Sequence, residues 1–202
     1  LVIPDTTTKI NAYAFQGASC LMSVSFSPAV DTIGSYAFSG CSGLIGLLDI
    51  PNTMTRIESY AFQNCNSISS LRLGNSVTYI GSNAFYGCSM IHELTIPNSV
   101  ITIGSNAFGN CRQLRVVNYN ATNCLYMASD VWTNCNLFTI LNIGDNVTNI
   151  LSQAFFNCSG LTSVVIPNSV TEIGWAAFRY CNGIRTVTIG SSVVEIDNYA
   201  FD

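Results

Sequence analysis

Charge is scarce in this chain, and its scarcity excludes whole classes of function. Only 9% of the 202 residues are charged, against the quarter usual in soluble domains. Lys9 is the single lysine and the net charge is −4, so nothing is available to build the basic patch that tracks a phosphate backbone. Nucleic acid is therefore not an expected partner. There is one histidine, His92, and any Ser-His-Asp or Cys-His constellation would have to use it. It lies beside Glu93, in a column where other units carry Ser69, Arg115 and Thr162, which marks a variable surface position. Carboxylates are dispersed, with only Glu195 and Asp197 close together, and Asp197 suits the capping of a turn better than paired acid–base work. No C-x-x-C pair is present to hold a metal. No apolar run approaches the roughly 20 residues that span a bilayer. The sequence thus points away from catalysis, cofactors, metals and membrane insertion.

What is abundant is Ser, Thr and Asn set among 49% hydrophobic residues, and it is periodic. Phe15, Phe38, Phe62, Phe85, Phe108, Trp132, Phe155, Phe178 and Phe201 recur at intervals of 23 or 24 residues. A period of this length over nine units indicates a solenoid, in which each unit buries its apolar face only against its neighbours.

One unit, Leu161–Cys181, explains the spacing. Val164 and Ile166 alternate with Ser163 and Val165, which puts the first pair on the inner face of a short strand. Pro167-Asn168 ends that strand, because proline lacks a donor and asparagine tolerates turn conformations. Val170 and Ile173 return the chain over the core, and the segment around Ala177-Phe178 reads as a single helical or 3₁₀ turn. Gly40, Asn64, Gly87, Asn110, Asn134 and Asn157 precede the recurring cysteine, and these residue types take the left-handed conformation that closes such a turn. Two units depart from the pattern. An extra residue within Leu44–Leu48 predicts a bulge, while the sixth unit carries one insertion, with Cys124, Met127 and Trp132 at core positions, and reads as a local repacking.

The motif L-x-x-[LV]-x-I-P-N-S-V-T-x-I-G-x-x-A-F-x-N-C, fullest in the units ending at Cys88, Cys111, Cys158 and Cys181, resembles the leucine-rich repeat proteins of the BspA type. The resemblance runs through all nine units. It implies a right-handed solenoid with a parallel sheet on one face and short turns and loops on the other. It also implies a secreted or surface protein, of a kind found in bacteria such as the Bacteroidetes and in some mucosal parasites. Such proteins are commonly adhesins for host matrix proteins or other cells. Residues 1–202 are then expected to form one solenoid domain, a slice of a longer chain, with uncapped ends through which copies could stack end to end.

Seven cysteines, at 41, 65, 88, 111, 135, 158 and 181, share one column. Neighbouring strands lie about 4.8 Å apart, within reach of disulfide geometry, but the inward position beside each Phe favours reduced thiols acting as small hydrophobes. Cys20 falls off the column and is the best candidate for an exposed thiol, although a semi-buried, inert position is the favoured reading.

The outward strand positions form two columns on the sheet face. The residues selected as a protein-contact face are Asp49, Arg72, Glu93, Val116, Asn118, Ile140, Asn142 and Val165. Val116, Ile140 and Val165 form an apolar patch bordered by charge, which fits a protein partner such as a host matrix glycoprotein; the competing reading is that valine and threonine simply suit strands. Tyr13, Tyr36, Tyr60 and Tyr199 form an aromatic row, either a sugar-stacking surface or a shield over the loops. A spacer that binds nothing is the third reading.

Overall fold

A computed structural model describes residues 1–202 and contains sixteen strands and no helix. In chain order these are β1 (Lys9–Ile10), β2 (Thr32–Ile33), β3 (Gly46–Asp49), β4 (Arg56–Ile57), β5 (Ile68–Arg72), β6 (Tyr79–Ile80), β7 (Glu93–Ile96) and β8 (Thr102–Ile103). They continue as β9 (Val116–Tyr119), β10 (Tyr126–Met127), β11 (Ile140–Ile143), β12 (Asn149–Ile150), β13 (Ser163–Ile166), β14 (Glu172–Ile173), β15 (Thr186–Ile189) and β16 (Glu195–Ile196). Each unit runs from a main strand through a two-residue return strand into a turn, and the units stack so that every strand pairing is parallel. The two N-terminal units meet on the main face only through a single bridge, Val2 to Ser25.

The core is one cluster of 57 buried residues that runs the length of the stack. It follows from the alternation in the main strands: Leu94, Val117, Leu141 and Val164 point inward while Glu93, Ile140 and Val165 are exposed. The anchor rings form a continuous column, parallel to within 14°, with centroids 5.0 to 5.5 Å apart at every step but one. Offset stacking of this kind adds to the burial of each ring.

The return strands form a second parallel ladder, β1-β2-β4-β6-β8-β10 and then β12-β14-β16. Sequence reasoning placed only a return segment there.

The turn after the return strand corrects the helical expectation. Its backbone donors alternate between two destinations. Ala37, Ser39 and Cys41 donate within the turn, to Gly34, Tyr36 and Phe38, whereas Tyr36, Phe38 and Gly40 donate to Ser59, Ala61 and Gln63 of the next unit. A helix would keep all of these bonds local. The interruption comes from a left-handed residue in mid-turn, such as Tyr36 (φ 59°), Tyr60 (63°), Asn83 (57°) or Gln153 (56°). The turn side of the solenoid is thus cross-bonded like a third ladder. The expected left-handed closing residues are all found there, Gly40, Asn64, Gly87, Asn110, Asn134 and Asn157, with φ between 55° and 76°.

The extra residue of the second unit does bulge. The register between β3 and β5 shifts at Gly46/Leu47, and Gly46 takes φ 74°, a conformation that glycine adopts without steric cost.

Candidate protein-contact face

The outer side of the main strands carries the candidate residues, and strand register decides which of them meet. Val116 stands opposite Glu93 on one side and Ile140 on the other, while Asn118 lies between Thr95 and Asn142. Asp49 is paired with Arg72. Val165 sits beside Thr188. The face therefore exists in the order expected, but it is not continuous. No strand pairing joins β5 to β7 or β11 to β13. The charged pair Asp49–Arg72 is separated from Glu93 by the first gap, and Val165 from Ile140 by the second.

Two polar clusters preorganise the face. Arg72 Nε donates to Asp49 Oδ1 at 2.6 Å and Arg72 Nη2 to Asp49 Oδ2, a two-pronged pair. Asn118 Nδ2 donates to Glu93 Oε1 at 2.8 Å, and Asn142 Nδ2 donates to Asn118 Oδ1 at 2.7 Å. Glu93, Asn118 and Asn142 thus form a chain of hydrogen bonds along three adjacent strands, which column spacing does not reveal because Glu93 and Asn118 lie in different outward columns. The apolar part is smaller than expected, because Val116 is half-buried by its neighbours. Ile140 at 49% and Val165 at 59% exposure remain as the accessible anchors. They line one groove of about 340 Å³ with Asn142, Thr162 and Ser163. A larger groove of about 780 Å³ runs along the loops that follow the main strands and presents Asn75, Asn98, Asn120, Asp145 and Asn146.

The aromatic row behaves differently from a sugar platform. Tyr13, Tyr36 and Tyr60 stack on one another, with centroids 5.1 and 4.4 Å apart and interplanar angles of 8° and 3°. Both faces of Tyr36 are occupied by its neighbours, whereas Tyr13 and Tyr60 stack on one side only. Tyr199 instead stands edge-on to Trp175 and under the Arg179 guanidinium.

The cysteines are all free thiols, and only Cys20 is exposed. The column thiols donate to the anchor carbonyl of the preceding unit: Cys41 to Phe15, Cys65 to Phe38, Cys88 to Phe62, Cys111 to Phe85, Cys135 to Phe108 and Cys181 to Phe155, over 3.0 to 3.5 Å. Burial pushes the Cys88 and Cys135 thiols up to about 12, and those of Cys41, Cys65, Cys111 and Cys158 shift the same way for the same reason. A thiol so far from ionising is a poor nucleophile. His92 is exposed on the surface, and no cluster of three metal-ligating side chains is present. No helix is long and apolar enough to cross a membrane.

The model of the BspA type leucine rich repeat region matches residues 1–115 and 79–202, in six copies. No curated protein sequence matches the chain. Among solved structures, the leucine rich repeat protein of T. pallidum shares 24% identity, with a TM-score of 0.64 over 92% of this chain and 77% of that one. A leucine-rich repeat protein from Eubacterium ventriosum shares 19% identity, with a TM-score of 0.59 over 100% of this chain and 75% of that one. At these identities the likeness is one of fold.

Proposed function

The chain belongs to the BspA-type leucine-rich repeat family, and from that premise we propose that it is a non-enzymatic adhesion module of the bacterial surface that binds protein through the outer face of its main sheet. The observation that carries this reading is the separation of roles across the main strands. The inner side chains Leu94, Val117, Leu141 and Val164 are buried in the core, whereas Ile140 and Val165 stay exposed beside a hydrogen-bonded polar chain. Exposed apolar anchors beside preorganised polar groups are what a protein partner needs, since little ordering cost is left for binding. An extracellular matrix glycoprotein of a host is the partner class that fits a surface protein of this family.

Glycan binding through the tyrosine row is the alternative, and the mutual stacking of Tyr13, Tyr36 and Tyr60 counts against it. A test uses immobilised matrix glycoproteins before and after enzymatic removal of their glycans. Binding is expected to survive deglycosylation within about twofold and to survive Tyr36→Asn, a replacement that its left-handed column already carries at Asn83 and Asn106. Loss of binding in both arms would transfer the function to the tyrosine row, and absence of binding to any glycoprotein would leave the chain a spacer.

A further inference from the structure

The backbone bonding of the solenoid is broken at one place. From Tyr13 to Asn110, each turn donates to the next, as in Phe62 N–H to Ala84 O and Phe85 N–H to Ala107 O, both 2.8 Å. The sixth turn accepts such bonds normally, with Val131 O taking Phe108 N–H and Thr133 O taking Asn110 N–H. It passes none on. Neither Trp132 N–H nor Asn134 N–H has a partner in the seventh unit, and the pattern resumes only at Gln153 N–H to Trp175 O. The return ladder stops at the same joint, between β10 and β12, and the main sheet breaks one unit later, between β11 and β13, since β11 remains paired with β9.

These breaks form a staggered seam that divides the seventh unit, whose main strand β11 stays paired with β9 while its return strand and turn bond to the eighth unit, and it separates residues 1–144 from 145–202. Apart from the local Val147 N–H to Gly144 O bond at the boundary, a single hydrogen bond crosses it, from the Trp132 indole Nε1–H to Ala154 O at 3.1 Å. The gap between β5 and β7 differs in having no open joint beside it, since the return strands and turns of the neighbouring units are all bonded, as in Gly81 N–H to Ile57 O and Gly104 N–H to Ile80 O.

The cause lies in the sixth unit. The indole is wider than the phenyl ring it replaces, and the ring spacing across the seam opens to 6.4 Å, against 5.0 to 5.5 Å elsewhere. The main-chain N–H of Trp132 then falls short of Ala154 O, and the indole N–H takes that acceptor instead. Asp130, two residues before the anchor, is not left-handed as its counterparts are; its carboxylate turns back to Ser105 and Asn106 of the fifth unit. Cys158 gives an independent sign. Its thiol alone in the column fails to reach the preceding anchor carbonyl and lies 3.9 Å from Phe156 O.

We propose that the solenoid is two separately cooperative stacks, 1–144 and 145–202, which flex and open about this seam with the Trp132 indole as its only polar latch. Cooperative opening units of this kind follow lines of sparse bonding. The candidate contact face is divided by it, with Ile140 and Asn142 on the first stack and Val165 on the second.

Native-state hydrogen exchange of the whole chain tests it. Gly81 and Gly174 make the same bond, each to the return-strand isoleucine of the unit before, and both distances are 2.8 Å. Gly174 is expected to be protected roughly tenfold less than Gly81, in one opening event shared by 145–202. Phe155, adjacent to the seam, is expected to exchange with Phe178 and not with Phe108. Fraying from the ends would instead give Phe155 protection near that of Phe108. Such a gradient, or one event embracing every unit, would overturn the proposal. A second reading uses Trp175→Phe, which leaves Trp132 as the sole indole at a half-exposed site's expense. The red shift of its emission should precede the loss of β-sheet ellipticity in urea, and coincident transitions would contradict two stacks.

Discussion

Above pH 9 the protein is expected to lose stability steeply. The reason is the buried thiol column. Cys88 and Cys135 ionise at about 12 in the folded state, whereas in an unfolded chain they would ionise near 9. A group whose folded value is raised contributes stability that is fully present below its unfolded value and is lost as pH climbs toward the folded one. The window therefore runs from about 9 to about 12. Each thiol costs roughly 1.4 kcal/mol per pH unit within it. Two thiols remove about 3 kcal/mol at pH 10 and about 5 kcal/mol at pH 11, comparable with the 5–15 kcal/mol that holds a typical domain together. Cys65 and Cys111, shifted upward by the same burial, add to the loss, whereas Cys181, held below the ordinary thiol value by its hydrogen bond with Cys158, opposes it. Urea midpoints measured from pH 7 to 11 check this, and the Cys88→Ala, Cys135→Ala double variant should show a shallower alkaline slope. A midpoint that stays level to pH 11 would mean that these thiols are not held in the core.

Truncating one anchor ring in mid-stack is expected to have an effect of similar size. Phe85 is fully buried between Phe62 and Phe108, with centroids 5.4 Å away on both sides. Phe85→Ala should cost about 3–5 kcal/mol, through lost transfer energy and a cavity that the neighbouring turns, fixed by inter-unit hydrogen bonds, cannot close. Phe15 is only partly buried and stacks on one side, against Phe38, so Phe15→Ala should cost less than half as much. Equilibrium urea unfolding of the two variants separates a column held together ring by ring from one in which the rings are independent.

The parts of the fold that a sequence can carry are those repeated in residue type. The anchor spacing gave the stack, the alternation around Val164 and Ile166 gave the inner face, and Gly or Asn before each cysteine gave the left-handed closure. The extra residue near Gly46 marked its bulge. Return strands of two residues are too short to show a period, so the second ladder at Thr102–Ile103 and its neighbours went unread. The turn looked helical because Gly-Ser-x-Ala-Phe is compatible with one helical turn. What decides otherwise is a bond from Phe85 to Ala107, a partner one whole unit away that local propensity does not encode. The seam is the clearest case. Trp132 in place of Phe was visible as a larger core residue, but not that its main-chain donor would lose its acceptor to its own side chain. For the contact face, alternation placed all eight residues outward in the right order. Their ranking came from the structure, since the half-burial of Val116 and the bonding of Glu93 to Asn118 depend on cross-strand neighbours.

The central claim, that the outer strand positions serve binding while the inner ones serve folding, is tested most directly by Val165→Asp, measured for stability and binding on one preparation. Val165 is 59% exposed and sits beside Thr188. The expected result is an unfolding free energy within about 0.5 kcal/mol of the parent and at least a tenfold weaker affinity for deglycosylated matrix protein, as expected when a charge replaces an apolar anchor. Unchanged binding, or a variant that unfolds, would contradict it.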